Sequence, residues 1–122
     1  MVEFYEKTIG LELIRHEKQM AFFRIADGYA GHTQILALFD RSESSPQPYT
    51  RSNKLQMTVD HIAFTIAKED FTAEDTRLRN RGLKVTHAYH EWVQWKSLYV
   101  ADPEGNTVEL VCFDEDPSLP ES

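Results

Sequence analysis

One cysteine, Cys112, in 122 residues excludes an intramolecular disulfide framework and suits a reducing compartment. It stands inside an apolar strand pattern, where it reads as a small buried packing residue rather than a reactive thiol. No apolar run approaches the roughly 18–20 residues that a membrane span requires. No basic segment followed by an apolar stretch opens the chain, so no signal peptide is expected and the sequence predicts a cytoplasmic protein without membrane partners. Basic residues are also in deficit. Thirteen Lys and Arg against 20 Asp and Glu leave a net charge of −7, which argues against a nucleic-acid partner. That charge accords with a cationic ligand, and equally with solubility alone. The 41% apolar content and the length fit one compact soluble domain, residues 1–122.

Within that length lies a repeat. Gly10 leads through strand-like runs to Asp40, 30 residues on, and Gly82 leads by a similar route to Asp114, 32 residues on. Such near-equality marks two copies of one supersecondary unit. The second copy opens with Val59–Asp60–His61–Ile62–Ala63–Phe64, and His61 precedes Gly82 by 21 residues. The matching position of the first copy falls ahead of Met1. The first copy is therefore expected to lack its opening strand, and a strand bearing a second His is expected upstream if the recorded start is internal to a longer reading frame.

The spacing predicts a short helix over residues 2–9, with Val2, Tyr5 and Ile9 inward and Gly10 at its end. Strands are predicted over 11–15, 20–25 and 33–39. A Ser- and Pro-rich linker follows over about 41–56, densest in 41–53. The second module, about 57–114, is predicted as a strand over 58–66, a helix over 68–81 stopped by Gly82, strands over 83–88 and 93–101, a tight Asp102–Pro103–Glu104–Gly105–Asn106 turn, and a strand over 107–113. Residues 115–122 form a frayed tail. The class is α+β, with the apolar face of each strand packed under a helix. Side-chain alternation then puts Ile62, Phe64, Leu98, Val100, Leu110 and Cys112 on the helix side. His61, Trp95, Ser97, Tyr99, Glu109 and Phe113 share the other face.

A lone strand His is usually a satisfied polar residue. A Glu in the middle of an apolar strand is harder to dismiss, because an unpaired buried carboxylate is costly. His61 and Glu109 on one face are two-thirds of a two-His-one-carboxylate metal set. Trp95 and Tyr99 read either as packing aromatics or as the lining of a ligand pocket.

Phe4–Tyr5–Glu6–Lys7–Thr8–Ile9–Gly10–Leu11, Asp60–His61–Ile62–Ala63–Phe64 and Asp102–Pro103–Glu104–Gly105–Asn106–Thr107–Val108–Glu109–Leu110 together resemble the vicinal oxygen chelate superfamily, which includes glyoxalase I, extradiol dioxygenases, fosfomycin-resistance thiol transferases and bleomycin-resistance proteins. The resemblance implies paired βαβββ modules forming a cup-shaped mixed sheet, with a divalent metal (Ni, Zn, Mn or Fe) at its floor in the enzymatic members. It implies His61 and Glu109 as metal ligands and Glu109 as the catalytic carboxylate; Trp95, Tyr99 and Phe113, which share their face by strand parity, are the expected substrate-binding residues. A small-molecule ligand and a homodimer are expected. The first-module His of that pattern is missing, and Ile35 stands where the first module would match Glu109. His32, His87 and His90 are the remaining candidates for a third ligand, while His16 reads as a surface residue. Two functions follow: a glyoxalase- or dioxygenase-like metal enzyme, or a metal-free module that sequesters a small molecule.

Overall fold

The computed structural model describes residues 1–28, 30–40 and 59–121, in two compact units, Met1–Gln56 and Met57–Ser122. The linker expected over 41–56 lies outside the described residues.

In the first unit the N-terminal helix, Phe4–Ile9, winds as a wide π turn. It stops at Gly10, whose φ of +92° is a left-handed conformation that glycine adopts without strain. The Gly10 and Leu11 N–H groups both donate to the Tyr5 carbonyl, at 3.1 and 2.9 Å. The wide turn changes the buried face. Phe4, Tyr5 and Thr8 are buried, rather than Val2 and Ile9 alongside Tyr5. Three antiparallel strands follow in spatial order: β1 (Glu12–Glu17), β2 (Met20–Asp27) and β3 (Thr33–Phe39). β1 and β2 run farther than the hydrophobic pattern predicts. Pairing continues to Glu17↔Met20 at one end and Asp27↔Thr33 at the other, because ladder hydrogen bonds do not depend on side-chain polarity. Ala21 and Phe23 are buried, and the Phe23 ring lies 6.2 Å from that of Tyr5.

The second unit is a complete βαβββ module: β4 (His61–Thr65), a short 3₁₀ turn (Lys68–Asp70), α1 (Phe71–Asn80), β5 (Thr86–His90), β6 (Trp95–Ala101) and β7 (Thr107–Phe113). The spatial order is β4-β7-β6-β5, with β4 parallel to β7 and the other pairs antiparallel. Placing β4 beside β7 requires a crossover, and α1 lies within it. Among the described residues, the first unit has one strand fewer than the second.

Three strand starts in this module differ from the sequence pattern. β4 begins at His61 because its pairing begins at His61↔Thr107, the first residue of β7. β5 begins at Thr86 rather than residue 83. Gly82, at φ +84°, ends α1 with its N–H on the Arg79 carbonyl, and the Leu83 N–H goes back to the Leu78 carbonyl. β6 begins at Trp95 because residues 91–94 form the turn, closed by Val93 N–H to the His90 carbonyl and by a left-handed Gln94.

One face of this sheet carries Leu98, Val100, Val108, Leu110 and Cys112, all buried, with Phe71 and Leu78 of α1 also buried. A polar layer is included there. Arg79 Nε and His87 Nε2 both donate to the buried Asp75 carboxylate, at 3.0 and 2.8 Å. Lys96 is buried with its Nζ 3.0 Å from Asp114 and 5.7 Å from the centre of the Phe71 ring. His87 is therefore tied to α1 through the sheet's helix-facing side, and does not point with His61 and Glu109.

Candidate functional site

The site is laid out by register. On the face opposite the buried apolar residues, Glu109 of β7 has Ala63 on one side and Tyr99 on the other, with Thr86 beyond Tyr99. One step toward the β7 C-terminus stand Thr65, Val111, Ser97 and Ala88, and one step further Phe113, Trp95 and His90. The Asp102 turn fixes this alignment. The Asp102 carboxylate accepts from the backbone N–H groups of Glu104 and Asn106 and from the Asn106 amide, at 2.9–3.0 Å. Gly105, at φ +85°, returns its N–H to the Asp102 carbonyl.

Glu109 is only 6% exposed, and its carboxylate is fully engaged. Ser97 Oγ donates to Oε2 at 2.5 Å, the Tyr99 hydroxyl approaches the same oxygen at 3.4 Å, and Oε1 lies 2.9 Å from His61 Nε2. On the other side of the imidazole, Asp60 Oδ2 is 2.6 Å from Nδ1. A carboxylate therefore faces each ring nitrogen. Ionised carboxylates only accept, so both nitrogens carry protons when the pair is charged. Asp60 above all, against the opposing effect of burial and with help from Glu109, raises the His61 pKa above its ordinary value of 6.5. Burial, reinforced by the Glu109 charge, raises the Tyr99 pKa above 10.0. His90 Nε2 lies 3.1 Å from the Tyr99 hydroxyl, so polar contacts run continuously through Asp60, His61, Glu109, Tyr99 and His90.

The structure thus brings together His61, Glu109 and Tyr99. It places Trp95 and Phe113 on the same face as neighbours across β6 and β7. His90, expected at a turn, ends β5 on this face and reaches Tyr99 rather than Glu109. His32 lies in the β2–β3 connection of the first unit. Two participants were not singled out from sequence, Asp60 and Ser97. The Asp–His adjacency hinted at the first, and Ser97 had the right parity with nothing to distinguish it.

The donor set can be tested against a divalent ion. First-row ions bind imidazole nitrogen and carboxylate oxygen at about 2.0–2.2 Å, so two neighbouring donors on one ion stand about 3 Å apart. Nε2 and Oε1, at 2.9 Å, meet that spacing. Asp60 on Nδ1 stands where the outer partner of a metal-ligating His would stand. Among the described residues no group of three or more His, Cys, Asp or Glu side chains surrounds one point, so the fit is to a two-donor half-site.

A βαβββ module with a His on its first strand and a Glu on its last, meeting on one face, defines a class of small α+β proteins that present a polar site on an open sheet. The chain belongs to the Glyoxalase/Bleomycin resistance protein/Dioxygenase superfamily, whose sequence profile matches residues 1–110. It is similar to the lactoylglutathione lyase from Agrobacterium tumefaciens, at 30% identity and a TM-score of 0.58 over 90% of this chain and 81% of that one. A glyoxalase/dioxygenase from Nostoc punctiforme shares the fold at 23% identity and a TM-score of 0.65, over 93% and 81%. So does a mutant of the fosfomycin resistance protein FosX from Listeria monocytogenes, at 21% identity and a TM-score of 0.60, over 89% and 75%; that structure contains Mn(II) and 1S,2S-dihydroxypropylphosphonic acid. No helix among the described residues is long and apolar enough to cross a membrane.

Proposed function

We propose that this chain is a divalent-metal-dependent enzyme acting on a small molecule with two neighbouring oxygens, of the glyoxalase or dioxygenase type. The observation that carries the reading is the 2.9 Å approach of His61 Nε2 to Glu109 Oε1 on one sheet face. A bound nickel, zinc, manganese or iron ion would be held by these two atoms and would supply Lewis acidity toward the substrate oxygens. The FosX complex, with its Mn(II) and dihydroxy compound, supports the choice of metal and ligand class. The residues do the remaining work. Asp60 fixes the His61 ring and keeps Nε2 directed at Glu109. Ser97 and Tyr99 hold Glu109 Oε2, which leaves Oε1 beside His61 Nε2 to face the ion. The Tyr99 hydroxyl, which donates to Glu109 at 3.4 Å, would turn that single proton to a substrate oxygen.

A second reading, a metal-free binding module, is favoured by one observation: protonated His61, Ser97 and Tyr99 already satisfy Glu109 without an ion. Titration calorimetry with Mn(II), Ni(II) and Zn(II) separates the two. Metal binding that is lost in both His61→Ala and Glu109→Gln supports the enzyme reading. Binding unchanged by either substitution, or no binding at all, overturns it in favour of the second.

The chain is further proposed to form a homodimer. In the second unit the outer edge of β7 pairs with β4. The matching edge of β3 has no strand partner among the described residues, and unpaired edge groups favour pairing with another chain. Light scattering should give twice the 14.2 kDa chain mass, and a monomer at micromolar concentration would count against it.

A further inference from the structure

The face that carries Glu109 changes character along β6 and β7. At one end are the polar groups His61, Glu109 and Tyr99. In the next row the middle strands offer only Ser97, fully buried beneath the surface on its bond to Glu109, and Val111, with Ala88 beside them on β5. One row further the side chains become large and aromatic. Trp95 is 46% exposed and Phe113, its register partner, 56%. Trp92, 82% exposed, lies with its ring 6.4 Å from Trp95. The Tyr99–His90 contact, at 3.1 Å, crosses this row over Ser97 and Ala88, so the lane that joins the polar end to the aromatic shelf runs on the β7–β4 side, over half-buried Val111 and exposed Thr65. Glu109 to Phe113 and Tyr99 to Trp95 are four residues each, about 13 Å along a strand.

From this arrangement we infer that the ligand is elongated, with a two-oxygen head at His61 and Glu109 and a planar apolar group about 13 Å away, stacked on Trp95 and Phe113. The inference rests on the reading of His61 and Glu109 as the chelating end. It names the class of substrate that reading left open. The aromatic shelf favours a flat tail at a fixed spacing from the polar end, so tail length and planarity set specificity. A three-carbon ligand would leave the shelf exposed. Exposed indole and phenyl faces gain by covering, since apolar area removed from water stabilises in proportion to its size, and the rings add stacking geometry.

The chain's two tryptophans, Trp92 and Trp95, both lie at this shelf, so intrinsic fluorescence reports on it alone. The probes are acetohydroxamate, a two-oxygen chelator without a tail, and a series of ω-phenylalkanohydroxamates of increasing chain length. Each is titrated against the Mn(II)-loaded chain by fluorescence and by calorimetry. Expected is an affinity that rises about tenfold or more over acetohydroxamate, peaks where the chain spans about 13 Å, and is accompanied by tryptophan quenching. Trp95→Ala with Phe113→Ala should remove that gain, so that affinity no longer depends on tail length. Both side chains are half exposed, so the variant does not open the core. Affinity independent of tail length overturns the inference, as does a gain that survives the double substitution. Fluorescence that changes with protein concentration in the absence of any probe also overturns it, because a second copy then covers the shelf. Failure of acetohydroxamate itself to bind the Mn(II)-loaded chain speaks instead against the metal reading. The same series in metal-free protein then decides the shelf: length-dependent quenching supports it and flat quenching overturns it.

Discussion

His61 Nε2 and Glu109 Oε1 stand 2.9 Å apart although the two residues are not register partners: His61 is opposite Thr107, and Glu109 is opposite Ala63. The contact is diagonal across the parallel β4–β7 pair. Two long side chains on one face bridge a separation that short ones would leave open. Everything proposed for the polar end of the site depends on this diagonal.

Two protein donors make a weak site. Divalent Mn, Ni and Zn are expected to bind with dissociation constants above the micromolar range, because structural zinc sites use four protein ligands and catalytic ones three. Glu109→Gln and His61→Ala should each lower affinity further. Asp60→Asn, which loosens the His61 ring, should cost about 10–100-fold. Titration calorimetry reads all three, and submicromolar binding by the 122-residue chain would point to a further donor, with His90 the first to substitute.

The His61 pKa is raised chiefly by Asp60, so Asp60→Asn should lower it toward 6.5, as followed by NMR of the ring protons. The sign of the metal effect follows. A proton and an ion compete for Nε2, so metal affinity should fall as pH drops through the raised His61 value, with release of about one proton per ion below it. Stability runs the opposite way. The protonated ring between two carboxylates stabilises the metal-free fold, fully below 6.5 and progressively less as pH rises through the folded-state value. The difference in melting temperature between the chain and His61→Ala should shrink across that window.

Asp75 is buried with two donors on one oxygen, Arg79 Nε and His87 Nε2. Asp75→Ala leaves both without their acceptor between α1 and the sheet, and should destabilise by about 2–4 kcal/mol in urea unfolding. A loss under about 0.5 kcal/mol, the scale of an ordinary surface change, would show that water replaces the carboxylate at no cost.

Asp114 has its pKa lowered, first by the Asp116 backbone N–H and then by Lys96. A depressed carboxylate contributes stability above its unfolded value and loses it as pH falls through the folded one. Acid unfolding below about pH 4 should therefore be less steep in Lys96→Met, measured by circular dichroism against pH, and identical profiles would remove Lys96 from the account.

The sequence by itself determined the α+β class, the βαβββ order of the second module, the helix stop at Gly82 and the face shared by His61, Tyr99 and Glu109. Each follows from short-range rules: alternation along a strand, the left-handed tolerance of glycine, and a turn built on Asp102, Gly105 and Asn106. Strand ends were less legible. Residues 83–85 look like a strand, but the Leu83 N–H returns to Leu78, and only the ladder decides where pairing starts. Tertiary structure alone decided that Asp60 and Ser97 complete the polar end, that His87 binds Asp75 behind the sheet, and that His90 reaches Tyr99. Those contacts cross between neighbouring elements, 9 to 12 residues apart in the chain, or depend on which way one side chain turns at a strand end. Alternation gives a residue's face, but not which partner across the sheet its side chain reaches.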